Sequence, residues 1–430
     1  MNYRETRQYI QAVQTGAAIQ PGLETISLLL SKIGNPQDRC SFIHLAGTNG
    51  KGSTGTFITN VLAQSGRKIG RYFSPALFSK NETIQWNQGG ETHYITETEY
   101  ETRYVRIGEA IRQMKEQGQP VPTDFEIETA LAFLAFSNWN CDLVVLETGM
   151  GGALDATNVV KFVNVNVITT IAMDHQKFLG DTIEEIAVQK AGIITNAAPV
   201  VTAQESPEAL RVIQKRCEEK KAPLFILDRK EIRVLSCEAG QTKFCYQGET
   251  YTIGMCGQYQ VENACLALLA LQVMEPLPPE IRHKGLVEAR WPGRFDYVKK
   301  EPVWIADGAH NPQGIESLLD SLRQLYPDKN WIGLMGVFAD KDHRKMCRKL
   351  AENSRFQKIF TITAPGQRGL AAEDLAEELA SFGMESIACT SLTEAVEETK
   401  EYQKLEKNKT IAVCFGSLSF MKELYDIMGE

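Results

Sequence analysis

The chain has 430 residues, a formal charge of −8, and 43% hydrophobic and 23% charged residues, the balance of an ordinary globular enzyme. Its acidic excess argues against a nucleic-acid partner, because binding a phosphate backbone needs a basic face. No cationic-plus-apolar leader opens the sequence, no apolar run reaches the length of a membrane span, and ten cysteines include no C-x-x-C pair. The expectation is a cytoplasmic chain of two domains with reduced thiols and no membrane partner.

Residues 1–40 carry helical spacing, with Ile10 and Val13, then Ile26, Leu29 and Leu30, on apolar faces. Phe42–Ala46 reads as a short buried strand. It runs into Gly47-Thr48-Asn49-Gly50-Lys51-Gly52-Ser53-Thr54 and then into the helical spacing of Phe57–Ala63. Strand, glycine-rich turn, lysine with hydroxyls, then helix is the architecture of a phosphate-binding loop. Glycines let backbone N–H groups curl around an anion, and the helix start adds a favourable partial charge. Thr48, Asn49, Gly50, Lys51, Gly52 and Ser53 are therefore candidate nucleotide contacts, with Lys51 reaching the terminal phosphates as a point charge. The match to G-x-x-x-x-G-K-[ST] is imperfect. Leu45 takes the first glycine's place, and Gly52 separates Lys51 from Ser53; an ordinary glycine-rich turn is the alternative.

Lys68–Phe73 reads as a second strand ending at Ser74-Pro75, where a hydroxyl beside a phosphate loop can ligate Mg²⁺. Residues 91–120 are polar and end in the loop Gly118–Pro122. Thr123-Asp124-Phe125-Glu126 opens an apolar helix through Phe136 that reads mostly as core. Asp142–Glu147 is a buried strand ending in a carboxylate, a second candidate metal ligand, and a glycine-rich turn follows it. Asn166–Ile171 reads as a strand leading to Asp174-His175, which makes His175 the third candidate.

Residues 197–255 read as a helix to Lys221 and a small antiparallel β region completing the first domain. Gly257–Ala264 opens an apolar helix carrying Asn263, and Arg290-Trp291-Pro292-Gly293-Arg294 marks a hinge. Beyond it Val303–Ala306, Trp331–Gly336, Lys358–Ile362 and Thr410–Ser417 read as strands with helices between them, a second parallel α/β sheet. The boundary is placed between residues 1–296 and 297–430.

Several segments, in matching order over residues 40–420, resemble the folylpolyglutamate synthases and dihydrofolate synthases, relatives of the muramyl amino-acid ligases. They are Gly-Thr-Asn-Gly-Lys-Gly-Ser at 47–53, Glu147-Thr148-Gly149-Met150-Gly151-Gly152-Ala153-Leu154-Asp155-Ala156-Thr157-Asn158, the run from Leu179-Gly180-Asp181-Thr182 to Lys190-Ala191-Gly192, and Asp307-Gly308-Ala309-His310-Asn311-Pro312. The resemblance implies two α/β domains, an N-terminal P-loop ATPase-like domain with a small β region and a C-terminal parallel-sheet glutamate-ligase domain. It implies a monomeric ligase that uses ATP to add L-glutamate to a folate, or to dihydropteroate, through an acyl phosphate. It further implies catalytic roles for Lys51, His175, Lys190 and His310, and ATP contacts at Asn263, Arg294 and Asp307. One Mg²⁺ would be held by Ser74, Glu147 and His175. A second would be held by His175 and Lys190, whose amine the family often carries as a carbamate.

Ala76 and Thr83 depart from the family, where histidine and arginine are usual; this touches the pterin contacts and leaves the nucleotide site. A muramyl peptide ligase shares the chemistry but carries a nucleotide-sugar domain ahead of the loop, for which residues 1–43 are too few. A P-loop phosphotransferase and a non-catalytic nucleotide switch are the remaining alternatives.

Overall fold

The computed structural model describes residues 1–15, 22–238, 240–353, 355–406 and 409–429. The chain divides into two compact units, Met1–Asp228 with Asn263–Glu288, and Arg229–Glu262 with Ala289–Glu430. Among the described residues no helix is long and apolar enough to cross a membrane.

The first unit is built on an eight-stranded sheet. Its strands are β1 (Phe42–Ala46), β2 (Ile69–Tyr72), β3 (Ile84–Gln88), β4 (Glu91–Tyr94), β5 (Leu143–Glu147), β6 (Val163–Ile168), β7 (Val200–Thr202) and β8 (Leu224–Ile226). They lie in the order β4-β3-β2-β5-β1-β6-β7-β8. The pairs from β2 to β8 are parallel, and the β2–β3 and β3–β4 pairs are antiparallel. β1 is thus central and buried along its whole length, which is why it reads as a continuous run and not as an alternation. Parallel strands put their carboxyl ends on one edge, so the loops after β1, β2, β5 and β6 open together. That edge carries the site.

Helix packing on this sheet is set by small residues. The helix Lys51–Ala63 follows β1, and the helix Pro279–Glu288 closes onto it through Gly285. A Cβ on Gly285 would lie 2.4 Å from the Val61 Cα. A separate core joins Ile10, Leu29, Leu30, Ile107, Ile111, Phe133 and Phe136 from the N-terminal helices and the helices Glu97–Glu116 and Asp124–Trp139.

The second unit holds two sheets. β9 (Ile232–Glu238), β10 (Gln241–Tyr246) and β11 (Glu249–Ile253) form an antiparallel meander in the order β11-β10-β9. This is the small β region expected from sequence, and its packing groups it with the second unit. The strands β12 (Asp296–Lys300), β13 (Val303–Asp307), β14 (Asn330–Met335), β15 (Phe356–Thr361), β16 (Ser386–Ala388) and β17 (Thr410–Phe415) form a six-stranded sheet, order β12-β13-β17-β14-β15-β16. Only the β12–β13 pair is antiparallel.

Three local readings need correction. The polar stretch 91–120 is mostly helix: Thr96 and Glu99 form a capping box, and Tyr100, Tyr104, Ile107, Ile111 and Met114 supply a buried stripe. β6 begins at Val163 and stops at Ile168, because beyond it the Thr169 N–H bonds Ala46 and the chain turns onto the phosphate loop. β12 and β16 were not legible as strands, since their burial patterns carry little apolar alternation.

Gly70 in β2 leaves no room for a side chain: a Cβ there would lie 2.7 Å from Phe136 Cδ1. Gly70→Ala is expected to cost about 1–3 kcal/mol through overpacking, read as a lowered urea midpoint with an unchanged slope.

Candidate active site

The phosphate-loop turn is shaped by glycines at two points. Gly47 has φ +154°, and a Cβ on it would lie 1.8 Å from Thr169 Oγ1. Gly50 has φ +89° and is the N-cap of the helix Lys51–Ala63, so no side chain caps the first-turn amides. A Cβ on Gly50 would lie 2.5 Å from Asn263 Oδ1, and Thr54 Oγ1 reaches the same oxygen at 3.5 Å. Asn263 therefore packs directly against the turn.

The turn is tied down from the segment that follows β6. The Thr48 hydroxyl donates to the Ala172 carbonyl at 3.1 Å and accepts from the Ala172 N–H at 3.0 Å. Thr170 Oγ1 donates to the Asn49 carbonyl at 3.3 Å. Thr48 thus gives the loop its position, with its hydroxyl committed to backbone. Ser53 is buried in the first turn of the helix.

Two lysines converge on one carbonyl. Lys51 Nζ donates to the Gly47 oxygen at 3.1 Å, and Lys190 Nζ donates to the same oxygen at 2.8 Å. Lys51 also lies 3.9 Å from Glu147 Oε1, at the last residue of β5. Lys190 is buried, and burial together with the Lys51 charge lowers its pKa to about 7, with Asp174 and Asp155 opposing the shift. Half of its amine is then neutral near physiological pH.

What holds Lys190 there is close packing against the glycine-rich turn after β5. Gly152 and Gly192 allow it: a Cβ on Gly152 would lie 2.7 Å from the Gln189 oxygen, and one on Gly192 would lie 2.3 Å from Ala153 Cβ. Asn158 Nδ2 spans the two segments, donating to Ala153 O at 3.1 Å and Gly192 O at 3.2 Å. Asp155 fixes the turn by accepting from the Met150 N–H at 2.8 Å, the Thr157 N–H at 3.0 Å and the Thr157 hydroxyl at 2.6 Å. Thr157, having donated to Asp155, accepts from His44 Nε2 at 2.9 Å. Burial lowers the His44 pKa to about 3, so this ring is neutral.

The expected metal trio is reached unevenly. Glu147 ends its strand, Ser74 lies two residues past β2, and His175 lies seven residues past β6. His175 has φ +51° and its Nε2 is 3.8 Å from Asp174 Oδ2. Among the described residues no group of three or more His, Cys, Asp or Glu is arranged to hold a metal ion. Glu147 and His175 are two such side chains; a site here would need the Ser74 hydroxyl or a modified Lys190 to complete it. The donor chemistry suits a hard divalent cation in that Glu147 offers buried carboxylate oxygens, for which the Lys51 ammonium 3.9 Å away is a competing charge.

In the second unit Asp307 ends β13 and is buried among donors. It accepts from the Ala309 N–H at 2.8 Å, the Phe295 N–H at 2.9 Å and the Tyr259 hydroxyl at 2.7 Å. Burial raises its pKa, opposed first by the neighbouring Arg294 charge. Gly308 makes room for that arginine, since a Cβ there would lie 2.6 Å from Arg294 Nη1. His310 Nδ1 donates to the Gly308 carbonyl at 2.7 Å, which fixes the orientation of the ring. Asn311 caps the helix Pro312–Leu325 through the Gly314 N–H.

Sequence reading passed over Arg71, Asp174 and Tyr259. Arg71 is buried in β2 and donates to the Gly52 carbonyl at 2.7 Å, holding the loop helix from below. A cation inside the apolar run Ile69–Phe73 was its signal. Asp174 faces Lys190 electrostatically and was eclipsed by the histidine beside it.

A phosphate loop backed by paired lysines and a strand-end carboxylate, in one α/β unit, with a second parallel α/β unit on the same chain, defines an ATP-dependent ligase of the Mur type. Residues 45–271 match the Mur ligase middle domain, and residues 293–418 match the Mur ligase glutamate ligase domain. The chain belongs to the folylpolyglutamate synthase and dihydrofolate synthase family of the Mur ligases. It is 32% identical to the dihydrofolate synthase/folylpolyglutamate synthase of Bacillus subtilis over 98% of both chains. It is 33% identical to the folylpolyglutamate synthase of Lacticaseibacillus casei, over 85% of this chain and 86% of the relative. The Mycobacterium tuberculosis folylpolyglutamate synthase, solved with ADP and AMPPCP, superposes with a TM-score of 0.87 at 29% identity over 99% of both chains.

Lys190 generates a pH test. Its folded pKa lies below that of the unfolded chain, so the folded state binds fewer protons between about pH 7 and 10.5 and stability rises with pH across that window. In CO₂-free buffer, Lys190→Met is expected to flatten that rise, measured as urea midpoints from pH 6 to about 10. Parallel wild-type and variant profiles would mean that the amine is not desolvated.

Proposed function

We propose that this chain is an ATP-dependent ligase that adds L-glutamate to a folate-type carboxylate, with dihydropteroate as a further acceptor. The observation that carries the reading is the convergence of Lys51 and Lys190 on the Gly47 carbonyl beside Glu147. It lies in a chain matched end to end by folylpolyglutamate synthases. A solved relative with a TM-score of 0.81 at 30% identity, described as an FPGS–AMPPCP–folate complex, supports the substrate class.

The substrate carboxylate attacks the γ-phosphorus of ATP, ADP leaves, and an acyl phosphate forms. The glutamate amine then attacks the acyl carbon and phosphate leaves, giving the amide. Lys51 and the uncapped first-turn amides hold the negative charge of the phosphoryl oxygens, and the fixed loop keeps the reacting groups in line. Thr48, Asn49, Gly50, Gly52, Ser53 and Asn263 shape the nucleotide side of the pocket. Arg294 and Asp307 are assigned to the nucleotide, and His310 to the reacting centre.

Ser74, Glu147 and His175 would hold one Mg²⁺, and Lys190 with His175 a second; bound there, the ions neutralise charge across the phosphoryl oxygens. Lys190 meets the chemical demand for carbamylation. A neutral, desolvated amine attacks CO₂ and releases a proton, and the resulting anion replaces a cation beside the phosphates. We assign residues 1–296 to ATP and residues 297–430 to glutamate-ligase work. A cytoplasmic location fits ten free cysteines, and the chain is taken to act as a monomer.

Incubation with ATP, Mg²⁺, glutamate and each acceptor, followed by mass measurement of the products, tests the activity. A mass gain of one glutamate per ADP released is expected; ADP release without an amide product would return the chain to the phosphotransferases. Lys51→Ala is expected to fold normally and to lose roughly 10²- to 10³-fold in turnover. Lys190→Arg is expected to fail as well, since arginine keeps the charge and forms no carbamate. A fully active Lys190→Arg enzyme would reduce the lysine to an ordinary cation.

A further inference from the structure

The meander β9–β11 carries two thiols that the ligase reaction does not use. Cys237 lies near the end of β9, opposite Thr242 of β10, and Cys256 lies three residues beyond β11. The two thiols lie close enough for each to shift the other's titration. Cys256 Sγ donates to the Glu238 carbonyl at 3.0 Å and accepts from the Gly240 N–H at 3.1 Å, one and three residues beyond Cys237 in the chain. Cys237 Sγ lies 3.2 Å from Thr242 Oγ1. Both thiols are reduced; Cys237 is half-buried and Cys256 is 2% exposed. Cys237 is thus the more accessible of the two.

We propose that Cys237 and Cys256 are a reversible redox pair, in which hydrogen peroxide oxidises Cys237 and Cys256 resolves it to a disulfide. The Cys237 thiolate attacks one oxygen of hydrogen peroxide, the O–O bond breaks, and sulfenic acid and hydroxide form. The Cys256 sulfur then attacks that sulfur, its S–H proton and the departing hydroxide leave as water, and the S–S bond closes. The two thiols lose two electrons and two protons, which the peroxide takes up as two waters in all. A dithiol reductant reverses the reaction by exchange. The neighbouring Cys256 thiol lowers the Cys237 pKa against the effect of burial, which favours the attacking thiolate on Cys237.

The pair is placed to report on Asp307. Gly257 follows Cys256, and Tyr259, whose hydroxyl donates to Asp307 Oδ2 at 2.7 Å, comes two residues later. Cys256 belongs to the same core as Phe295, and Tyr259 packs against that core. Closing the disulfide shifts Cys256 toward β9 and draws on the segment that anchors Tyr259. This consequence rests on the nucleotide role proposed for Asp307.

The test treats the full chain with graded hydrogen peroxide, blocks with N-ethylmaleimide, and maps the digest by mass spectrometry. The expected product joins Cys237 to Cys256, is lighter than the reduced pair by two hydrogens, precedes modification of other cysteines, and vanishes with dithiothreitol. Cys256→Ser is expected to stop at a sulfenic acid on Cys237, captured by dimedone. Oxidation of other cysteines first, or Cys237 passing to sulfinic acid in the wild type unlinked, overturns the pair. The KM for ATP is expected to rise several-fold on oxidation of the wild type, and to stay constant in Cys237→Ser with and without peroxide. A disulfide that leaves the KM in place overturns the coupling. Asp307→Asn, run alongside, separates this from failure of the nucleotide role of Asp307, in which case that variant too keeps the wild-type KM.

Discussion

Two ammonium groups donating to one backbone carbonyl is the constraint on which the first unit depends. Like charges this close repel, and the repulsion grows as water is excluded. The fold meets the cost in two ways. Glu147 stands 3.9 Å from Lys51, and burial with the Lys51 charge brings the Lys190 pKa to about 7, so that one of the two charges is readily lost. A site arranged like this is prepared for added negative charge, whether from phosphates or from a carboxylated amine. The Gly47 carbonyl can take both lysines only because Gly47 adopts a backbone that no other residue fits against Thr169.

Much of the glycine-rich turn after β5 is scaffolding for this arrangement. Asp155 and Thr157 look like reactive groups in the sequence, yet their hydrogen bonds run to the turn's own amides and to His44. Gly152, Gly192 and Asn158 press that turn onto the end of the helix Ile183–Ala191, where Lys190 lies. The motif's acid is therefore a structural device, and its work is to place the Lys190 amine on the far side of β6 in the chain.

The second unit solves the opposite problem, a buried negative charge. Asp307 accepts from two backbone amides and the Tyr259 phenol, with Arg294 as the counter-charge. Fully bonded, a buried carboxylate is tolerable and rigid. Its rigidity passes to the loop after β13, where His310 is oriented by the Gly308 carbonyl.

The sequence by itself determined the class of fold, the phosphate loop, the strand-end carboxylate at Glu147 and the family. These are local: glycine-lysine spacing, apolar runs and strand-end residues are written contiguously, and backbone sterics enforce them wherever they occur. The helix Glu97–Glu116 was missed although its capping box is local, because its exposed charged face masked a narrow apolar stripe. Only the tertiary structure decided that Lys190 meets Lys51 at Gly47, that Arg71 supports Gly52, that Thr48 is spent on Ala172, and that Cys256 sits against Cys237. Desolvation and charge proximity depend on which distant segments pack together, and no residue carries that information in its own neighbourhood along the chain.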